Sequence, residues 1–281
     1  MSTGSLRRDA PLGVFDSGLG GLTVVRALRA ALPNEDIVYL GDTARVPYGT
    51  KGATTVTRYA LSCAGHLVNK GVKAIVVACN TASAVAPERL RVELDLPVLG
   101  VIEPGARAAA AATKVFRVGV LATAGTIASG AYLRAIAACS TRIETYGQAA
   151  PLLVPLAEEG WIDGEVPTLA ARRYLEPLAR ARVDVIILGC THYPLLFDVI
   201  EREAKAMIGP EVTILDSATV VAREVASFLA ERNLLRGDDG AKNVTMPGST
   251  RLLVTDVPKT FEETAARFLG AHAGPAEQVD L

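Results

Sequence analysis

Two cysteines, Cys79 and Cys190, stand where a pair of thiols could carry out proton transfer. Each follows a run of apolar residues and is itself followed by small polar residues. Inverting an α-carbon requires a base on one face of the carbon and an acid on the other. A thiol, with an ordinary pKa of about 8.5, can serve as either, and a helix N-terminus or a cation lowers that pKa. The pattern therefore predicts 1,1-proton transfer by two opposed thiols.

The two cysteines occupy matching places in an internal repeat. Residues 72–81 align with residues 183–192 without a gap, and residues 13–18 align with residues 119–124 at nearly the same spacing. Ligands of parallel sheets bind beyond the carboxyl ends of the strands. If the two repeats face each other, both thiols meet across one cleft.

Short apolar runs alternate with longer helical patterns in the first part of the chain. Residues 12–15, 37–40 and 74–78 are predicted strands, and residues 22–32 and 54–69 are predicted helices. Strands and helices that alternate at this spacing form βαβ units with right-handed crossovers and a parallel sheet.

The repeat and the alternation together predict an α/β fold of two similar lobes. Each lobe is expected to be a mostly parallel sheet flanked by helices. We expect pseudo-twofold symmetry between the lobes and an active site between them. The predicted division assigns residues 1–100 and 214–281 to the lobe of Cys79, and residues 101–213 to the lobe of Cys190.

The C-terminal part of the chain is predicted to contain two strands and two helices. In chain order we expect a strand at 212–215, a helix at 219–229, a loop at 236–250, an edge strand at 252–255, a helix at 261–269 and a loose tail from Gly270 onward.

The composition restricts the class of protein. The chain has 281 residues, with 29 basic and 30 acidic residues that give a net charge of −1. No basic cluster predicts nucleic-acid binding, and no stretch is long and apolar enough to predict a membrane span. The first ten residues lack the apolar region of a signal peptide, so we expect a cytoplasmic protein whose four cysteines are thiols.

Four sequence blocks resemble those of glutamate racemases in the aspartate/glutamate racemase superfamily. They are FDSGLGG at 15–21, GDT through PYG at 41–49, ACNTA at 78–82 and GCTHYP at 189–194. The resemblance extends over roughly residues 12–270, and the four blocks in this order are very specific. It implies racemisation of glutamate without pyridoxal phosphate or a metal, and a supply of D-glutamate for peptidoglycan. It also implies that a homodimer is possible.

The resemblance also implies roles for individual residues. Cys79 would deprotonate D-glutamate and Cys190 would deprotonate L-glutamate, with Asp16 and His192 assisting the neighbouring thiols. Glu158 matches an acidic position of the family, although the adjacent Glu159 leaves that assignment open. Ala122 replaces a usual glycine. The residues implied to bind substrate are Asp16, Ser17, Pro47, Tyr48, Gly49, Asn80, Thr81, Thr123, Thr126, Thr191 and His192.

Several other interpretations are compatible with these residues. The paired cysteines could be buried structural thiols, or they could bind catalytic zinc together with His192. The substrate could be aspartate or another amino acid, and the chain could be a non-catalytic amino-acid-binding or regulatory protein. A cysteine hydrolase would need only one thiol. Cys63 and Cys139 lie in helical patterns without polar neighbours, which predicts packing roles.

Overall fold

A computed structural model describes residues 7–237, 247–257, 261–270 and 274–281. The first part of the chain alternates strands with helices, as the apolar pattern predicts. Its elements are β1 (Leu12–Asp16), α1 (Leu22–Ala31), β2 (Ile37–Gly41), α2 (Ala53–Asn69), β3 (Ala74–Val77), α3 (Asn80–Ser83), α4 (Pro87–Glu93), β4 (Val98–Gly100) and α5 (Ile102–Ala112).

The alternation continues through the remainder of the described chain. The elements are β5 (Arg117–Ala122), α6 (Ala124–Ser129), α7 (Ala131–Cys139), β6 (Glu144–Ala149), α8 (Leu153–Glu158), α9 (Glu165–Arg180), β7 (Val185–Gly189), α10 (Phe197–Met207), β8 (Thr213–Asp216), α11 (Ser217–Glu231), β9 (Thr250–Val254), α12 (Phe261–Leu269) and β10 (Ala276–Gln278). Short 3₁₀ turns cover Thr43–Arg45, Tyr48–Thr50 and Tyr193–Leu196.

The strands form two parallel sheets. One has six strands in the order β10-β9-β2-β1-β3-β4, and the other has four in the order β6-β5-β7-β8. The segment β2-β1-β3-β4 has the same topology as β6-β5-β7-β8, so β1 corresponds to β5 and β3 to β7. These are the strands that the two alignments superimpose. The predicted α/β fold with two helix-flanked parallel sheets is therefore confirmed.

Both faces of each sheet are covered, as expected for parallel strands joined by helical crossovers. In the first sheet Val14 and Val76 pack into one apolar cluster, while Phe15 and Val77 pack into another. The second sheet divides its apolar side chains between two further clusters in the same way. Burial of each such side chain stabilises the fold by about 1.5–3 kcal/mol, so the apolar runs hold the strand ends in place.

Two expectations for the C-terminal part are wrong. The strand predicted at the edge, β9, lies inside the sheet between β2 and β10. The tail predicted to be loose contributes β10, which pairs in parallel with β9, and the amide of Val279 donates to the carbonyl of Val254 at 2.8 Å. Backbone amides and carbonyls make this pairing. Because the side chains of β10 are mostly polar, the residue types do not predict a strand there. Of the predicted loop at 236–250, residues 238–246 lie outside the described residues.

Helices α1, α5 and α11 connect the two lobes. Helix α11 packs against α1 of the first lobe, and it also packs against α5, which contacts β7 and β8 of the second lobe. The predicted limits of the lobes, 1–100 with 214–281 and 101–213, stay a proposal. None of the described helices combines the length and apolar character needed to cross a membrane.

Candidate active site

A cavity of about 310 Å³ lies between the carboxyl ends of the two sheets. Both Cys79 and Cys190 line it, and each thiol is nearly buried. Cys79 follows β3 and Cys190 follows β7, and these two strands are equivalent in the internal repeat. The fold therefore brings the two repeated thiols to one cavity.

Cys79 is the N-cap of α3. Its sulfur accepts a hydrogen bond from the amide of Ala82 at 3.5 Å, and its thiol donates to Oγ of Ser17 at 3.5 Å. Burial, together with the nearby Asp16 carboxyl, raises the pKa of Cys79 to about 12. At neutral pH this cysteine therefore rests as a thiol, which is the form that can supply a proton.

Asp16 lies at the end of β1, fully buried, and it does not line the cavity. Its carboxyl accepts the amide of Gly18 at 3.1 Å and the hydroxyl of Thr191 at 3.4 Å. Burial raises the pKa of Asp16, while the nearby His192 and the backbone amides partly offset that rise. Asp16 therefore does not reach the cavity itself, and it can influence a bound substrate only through the residues next to it.

A three-residue chain extends from the second thiol. Sγ of Cys190 lies 3.8 Å from Nδ1 of His192, and Nε2 of that imidazole lies 3.0 Å from Oε1 of Glu158. Burial favours the neutral imidazole, but the hydrogen bonds and charges of these two partners outweigh it and raise the pKa of His192 to about 10. Glu158, and not Glu159, is the carboxylate in contact with the imidazole.

The C-terminal helix supports the same imidazole from behind. The ring of Phe268 meets His192 edge-on, with 5.1 Å between ring centroids. One residue earlier, the guanidinium of Arg267 donates to the backbone carbonyl of Glu158 at 2.5 Å. These contacts hold both members of the His192–Glu158 pair against α12.

Three threonines form a hydroxyl cluster across the lobes. Oγ1 of Thr81 lies 2.9 Å from that of Thr123 and 3.2 Å from that of Thr126. The hydroxyls of Thr123 and Thr126 are 2.9 Å apart. Thr81 and Thr123 line the cavity, whereas Thr126 is buried behind them. The cluster gives the cavity a wall of hydroxyls with fixed positions.

The turn that contains Tyr48 forms another wall, after a cis peptide between Val46 and Pro47. The phenol of Tyr48 donates to the buried carboxylate of Asp42, and Nε of Arg45 also donates to that carboxylate, at 2.7 and 2.9 Å. Tyr48 therefore lines the cavity with its hydroxyl already engaged by Asp42.

Cys63 corrects one expectation. It was predicted to have no polar neighbours, but its sulfur lies 3.9 Å from the Tyr48 hydroxyl and 3.8 Å from a guanidinium nitrogen of Arg45. Burial and the nearby Asp42 carboxylate raise the pKa of Cys63 to about 12. The tertiary fold brings these groups to α2 from a remote turn, so helical periodicity could not reveal them. Cys139 is exposed at the end of α7.

The amide side chain of Asn80 is held on both sides. It donates to Oγ of Ser217 at 3.2 Å and accepts the hydroxyl of Tyr132 at 2.7 Å. These partners come from α11 and α7, and the sequence pattern identified neither of them. Asn80 lines the cavity with its side-chain amide already engaged.

Comparison with known proteins places this geometry in a family. The family model described as Asp/Glu/hydantoin racemase matches residues 22–225, which is well over half of the chain. The chain belongs to this racemase family.

Individual family members resemble the chain over nearly its full length. A glutamate racemase of Geobacter metallireducens is 52% identical over 270 residues, or 96% of each protein. The structure of a Bacillus anthracis glutamate racemase isoform matches with a TM-score of 0.90 and 37% identity, over 98% of this chain and 99% of the other. A Francisella tularensis glutamate racemase solved with D-glutamate matches with a TM-score of 0.87 and 36% identity, over 97% and 98% of the two chains.

The racemase fold gathers most of the sequence-predicted site residues. Asp16 and Thr126 lie behind the cavity wall, and the other predicted residues line it: Ser17, Pro47, Tyr48, Gly49, Cys79, Asn80, Thr81, Thr123, Glu158, Cys190, Thr191 and His192. Their chemical roles stay predictions.

Several residues that line the cavity are not among those predicted from the sequence. Val154 and Pro155 lie on α8 one turn before Glu158, and Pro151 lies a turn earlier. Helical spacing counted back from Glu158 would have found them. The remaining missed residues flank or fall within the matched blocks and turns: Gly18, Val46, Thr50 and Ala124.

Within the described part of the chain, no group of three or more His, Cys, Asp or Glu side chains is placed to hold a metal ion. The expectation of a metal-free and cofactor-free site stays a prediction, which metal analysis of the purified protein can test.

Proposed function

We propose that this chain interconverts L- and D-glutamate by two-cysteine proton transfer, without a cofactor. The observation that carries the proposal is that Cys79 and Cys190, at the ends of the equivalent strands β3 and β7, line one cavity. The relatives that match over nearly their full length are named glutamate racemases, so glutamate is the substrate of those proteins. D-Glutamate made in this way would serve peptidoglycan synthesis.

In the proposed reaction the substrate α-carbon lies between the two sulfurs. One thiolate removes the α-proton from its face, and the opposite thiol delivers its own proton to the other face. Cys79 would deprotonate D-glutamate and Cys190 would deprotonate L-glutamate. After each turnover the thiol and thiolate have exchanged places, and proton exchange restores the starting state.

The unequal neighbours of the sulfurs support this exchange. The His192 imidazole, whose pKa is raised to about 10, is a cation at neutral pH and lies beside Cys190. Its charge stabilises negative charge on the Cys190 sulfur. On the other side the buried Asp16 carboxyl opposes an anion at Cys79 and favours the thiol. One thiol and one thiolate are the pair that the reaction needs.

The α-proton of an amino acid is weakly acidic, so the site must also stabilise a carbanion-like transition state. The hydroxyls of Ser17, Thr81, Thr123 and Thr191 surround the cavity and can donate to carboxylate oxygens that gain charge. Apolar residues, including Val46, Val154 and Pro155, also line the cavity. An apolar lining lowers the local dielectric constant, which strengthens these electrostatic interactions.

The function is tested by incubating metal-free, purified protein with L-glutamate and no added cofactor, and following optical activity and chirality. Appearance of D-glutamate is the expected result. Parallel reactions with aspartate and other amino acids address the alternative substrates, since turnover of aspartate in place of glutamate would overturn the substrate assignment. Binding without inversion of any amino acid would favour the non-catalytic alternative. Stoichiometric zinc in the protein as first purified, before metal is removed, would favour the metal site.

We further propose that the protein acts in the cytoplasm, where thiols stay reduced. All four cysteines are free in the structure, and the reaction needs two of them as thiols. A homodimer is proposed from the family resemblance and from an exposed apolar segment. Trp161 and Leu169 are 55% and 54% exposed, with Ile162 and Val166 exposed between them. Light scattering during size-exclusion chromatography would distinguish a dimer from a monomer.

A further inference from the structure

Tyr132 is a buried residue of the second lobe that reaches the first. It lies in the first turn of α7, and its hydroxyl donates to Oδ1 of Asn80 at 2.7 Å. Both side chains are almost completely buried, with exposed fractions of 3% and 2%. Burial raises the pKa of Tyr132, so its phenol stays protonated and is the donor. The Asn80 amide nitrogen is thereby directed to Ser217 on α11.

The ring of Tyr132 packs against the strand that carries the second thiol. A Cβ added to Gly189 would lie 3.0 Å from Cε2 of this ring, and one added to Gly105 would lie 3.3 Å from Cε1. Gly189 is the last residue of β7 and directly precedes Cys190. One side chain therefore contacts the chain neighbour of each cysteine, Gly189 with its ring and Asn80 with its hydroxyl.

Racemisation depends on the spacing of the two sulfurs more than other proton transfers do. Both must contact opposite faces of the same carbon, and a misplacement of about 1 Å can cost roughly 100-fold in rate. We propose that Tyr132 is a positioning residue, which sets the spacing of Cys79 and Cys190 by joining Asn80 to the end of β7. The proposal rests on the two-thiol function proposed above.

The substitution Tyr132→Phe keeps the ring and removes only the hydroxyl. In D₂O two rates are measured with L-glutamate and with D-glutamate: inversion, and deuterium exchange at Cα of the enantiomer that has not inverted. Exchange without inversion needs one thiol, whereas inversion needs both. We expect inversion to fall by about tenfold and the ratio of exchange to inversion to rise. A merely structural defect reduces the amount of active enzyme and lowers both rates equally.

Tyr174→Phe is a matched control. It removes a tyrosine hydroxyl on α9, away from the cavity lining, that accepts the amide of Leu152 at 3.3 Å. Both of its rates should equal those of the wild type. Asn80→Ala, made alone and combined with Tyr132→Phe, tests whether Tyr132 acts through Asn80, because removal of the Tyr132 hydroxyl should then add little to the loss that Asn80→Ala already causes.

Three results would overturn the positioning role. They are wild-type inversion by Tyr132→Phe, a parallel fall of inversion and exchange, and additive losses in the double variant. A wild-type chain that neither inverts glutamate nor exchanges its α-proton would instead refute the proposed function, and the positioning role with it.

Discussion

At the scale of single residues, the two thiols have different electrostatic neighbours. Cys79 is close to the buried carboxyl of Asp16 and donates to Ser17, while Cys190 lies beside the cationic imidazole of His192. The internal repeat places an equivalent strand and cysteine in each lobe, but the charged group beside the sulfur differs between the two lobes. This asymmetry favours the protonated thiol at Cys79, and in the proposed mechanism each thiol serves one face of the α-carbon.

Replacement of either thiol should reduce inversion severely. Cys79→Ala and Cys190→Ala each remove one proton donor, so we expect racemisation to fall by roughly 10²- to 10⁴-fold. The exposed Cys139, changed to alanine in the same way, should leave the rate unchanged. Polarimetry with both enantiomers measures the effect. Near-normal turnover by either of the first two variants would end the two-base proposal.

The Glu158–His192 contact predicts a shift in the pH profile. The proposed cation is lost as pH rises through the His192 pKa of about 10, so activity should decline there. Glu158→Gln removes a negative partner that helps raise this pKa, and the decline should move to lower pH. Glu159→Gln should leave it in place, because the imidazole contacts Glu158. Equal profiles for both variants would exclude Glu158 as the partner of His192.

At the scale of elements, the loop after β1 and the turn after β7 approach so closely that only glycine fits between them. A Cβ added to Gly20 would lie 2.4 Å from Oγ1 of Thr191 and 2.5 Å from Nδ1 of His192. Thr23 in the adjoining helix α1 also donates to the backbone carbonyl of Thr191, at 3.0 Å. Residues of the first lobe therefore help to position Thr191 and His192, which follow Cys190.

Gly20→Ala should impair catalysis more than folding. The added methyl must displace the side chain of Thr191 or His192, which we expect to lower activity by about 10- to 100-fold and the free energy of unfolding by about 1–3 kcal/mol. Gly65→Ala is the control, since open space surrounds this glycine in α2. That change should raise helix stability by about 0.5–1 kcal/mol and leave activity unchanged. Urea titrations and initial rates distinguish the two; full activity in Gly20→Ala would contradict the close approach.

At the scale of the whole molecule, a buried ion pair joins distant parts of the chain. Nζ of Lys73, just before β3, lies 2.6 Å from a carboxylate oxygen of Glu35. The same ammonium donates to the carbonyls of Arg8 and Leu234 at 2.7 and 2.8 Å. It thus fastens the start of the described chain and the segment after α11 to the amino end of the first sheet, opposite the cavity.

Glu35→Gln should destabilise the fold without affecting the chemistry. It leaves the buried Lys73 ammonium without its anionic partner, at a cost of roughly 3–5 kcal/mol in the free energy of unfolding. Glu176→Gln breaks an exposed ion pair with Arg180 on α9 and should cost less than about 1 kcal/mol. Denaturant titration compares them, with initial rates at low temperature as a second measurement. An unchanged midpoint in Glu35→Gln would contradict the role of the pair.

The sequence predicts features that recur locally and misses those that need remote partners. Two apolar runs, which end in Cys79 and Cys190, predict buried strands. Because each cysteine directly follows its run, the same local pattern also places both thiols at strand ends. The pairing of β10 with β9 depends on backbone groups, so residue types do not show it. Tyr132 lies in a helix whose sequence does not distinguish it from an ordinary packing residue. Only the packing of one lobe against the other brings its hydroxyl to Asn80.

The most direct test of the two-thiol mechanism is the position of the label during early turnover in D₂O. Wild-type protein is mixed with unlabelled L-glutamate, and chirality and Cα deuterium are measured before inversion exceeds a few per cent. Two opposed thiols predict D-glutamate that carries deuterium and remaining L-glutamate that keeps its α-proton. D-Glutamate that retains the original proton, or label accumulating in L-glutamate as fast as inversion, would show that a single group moves the proton and would contradict the mechanism.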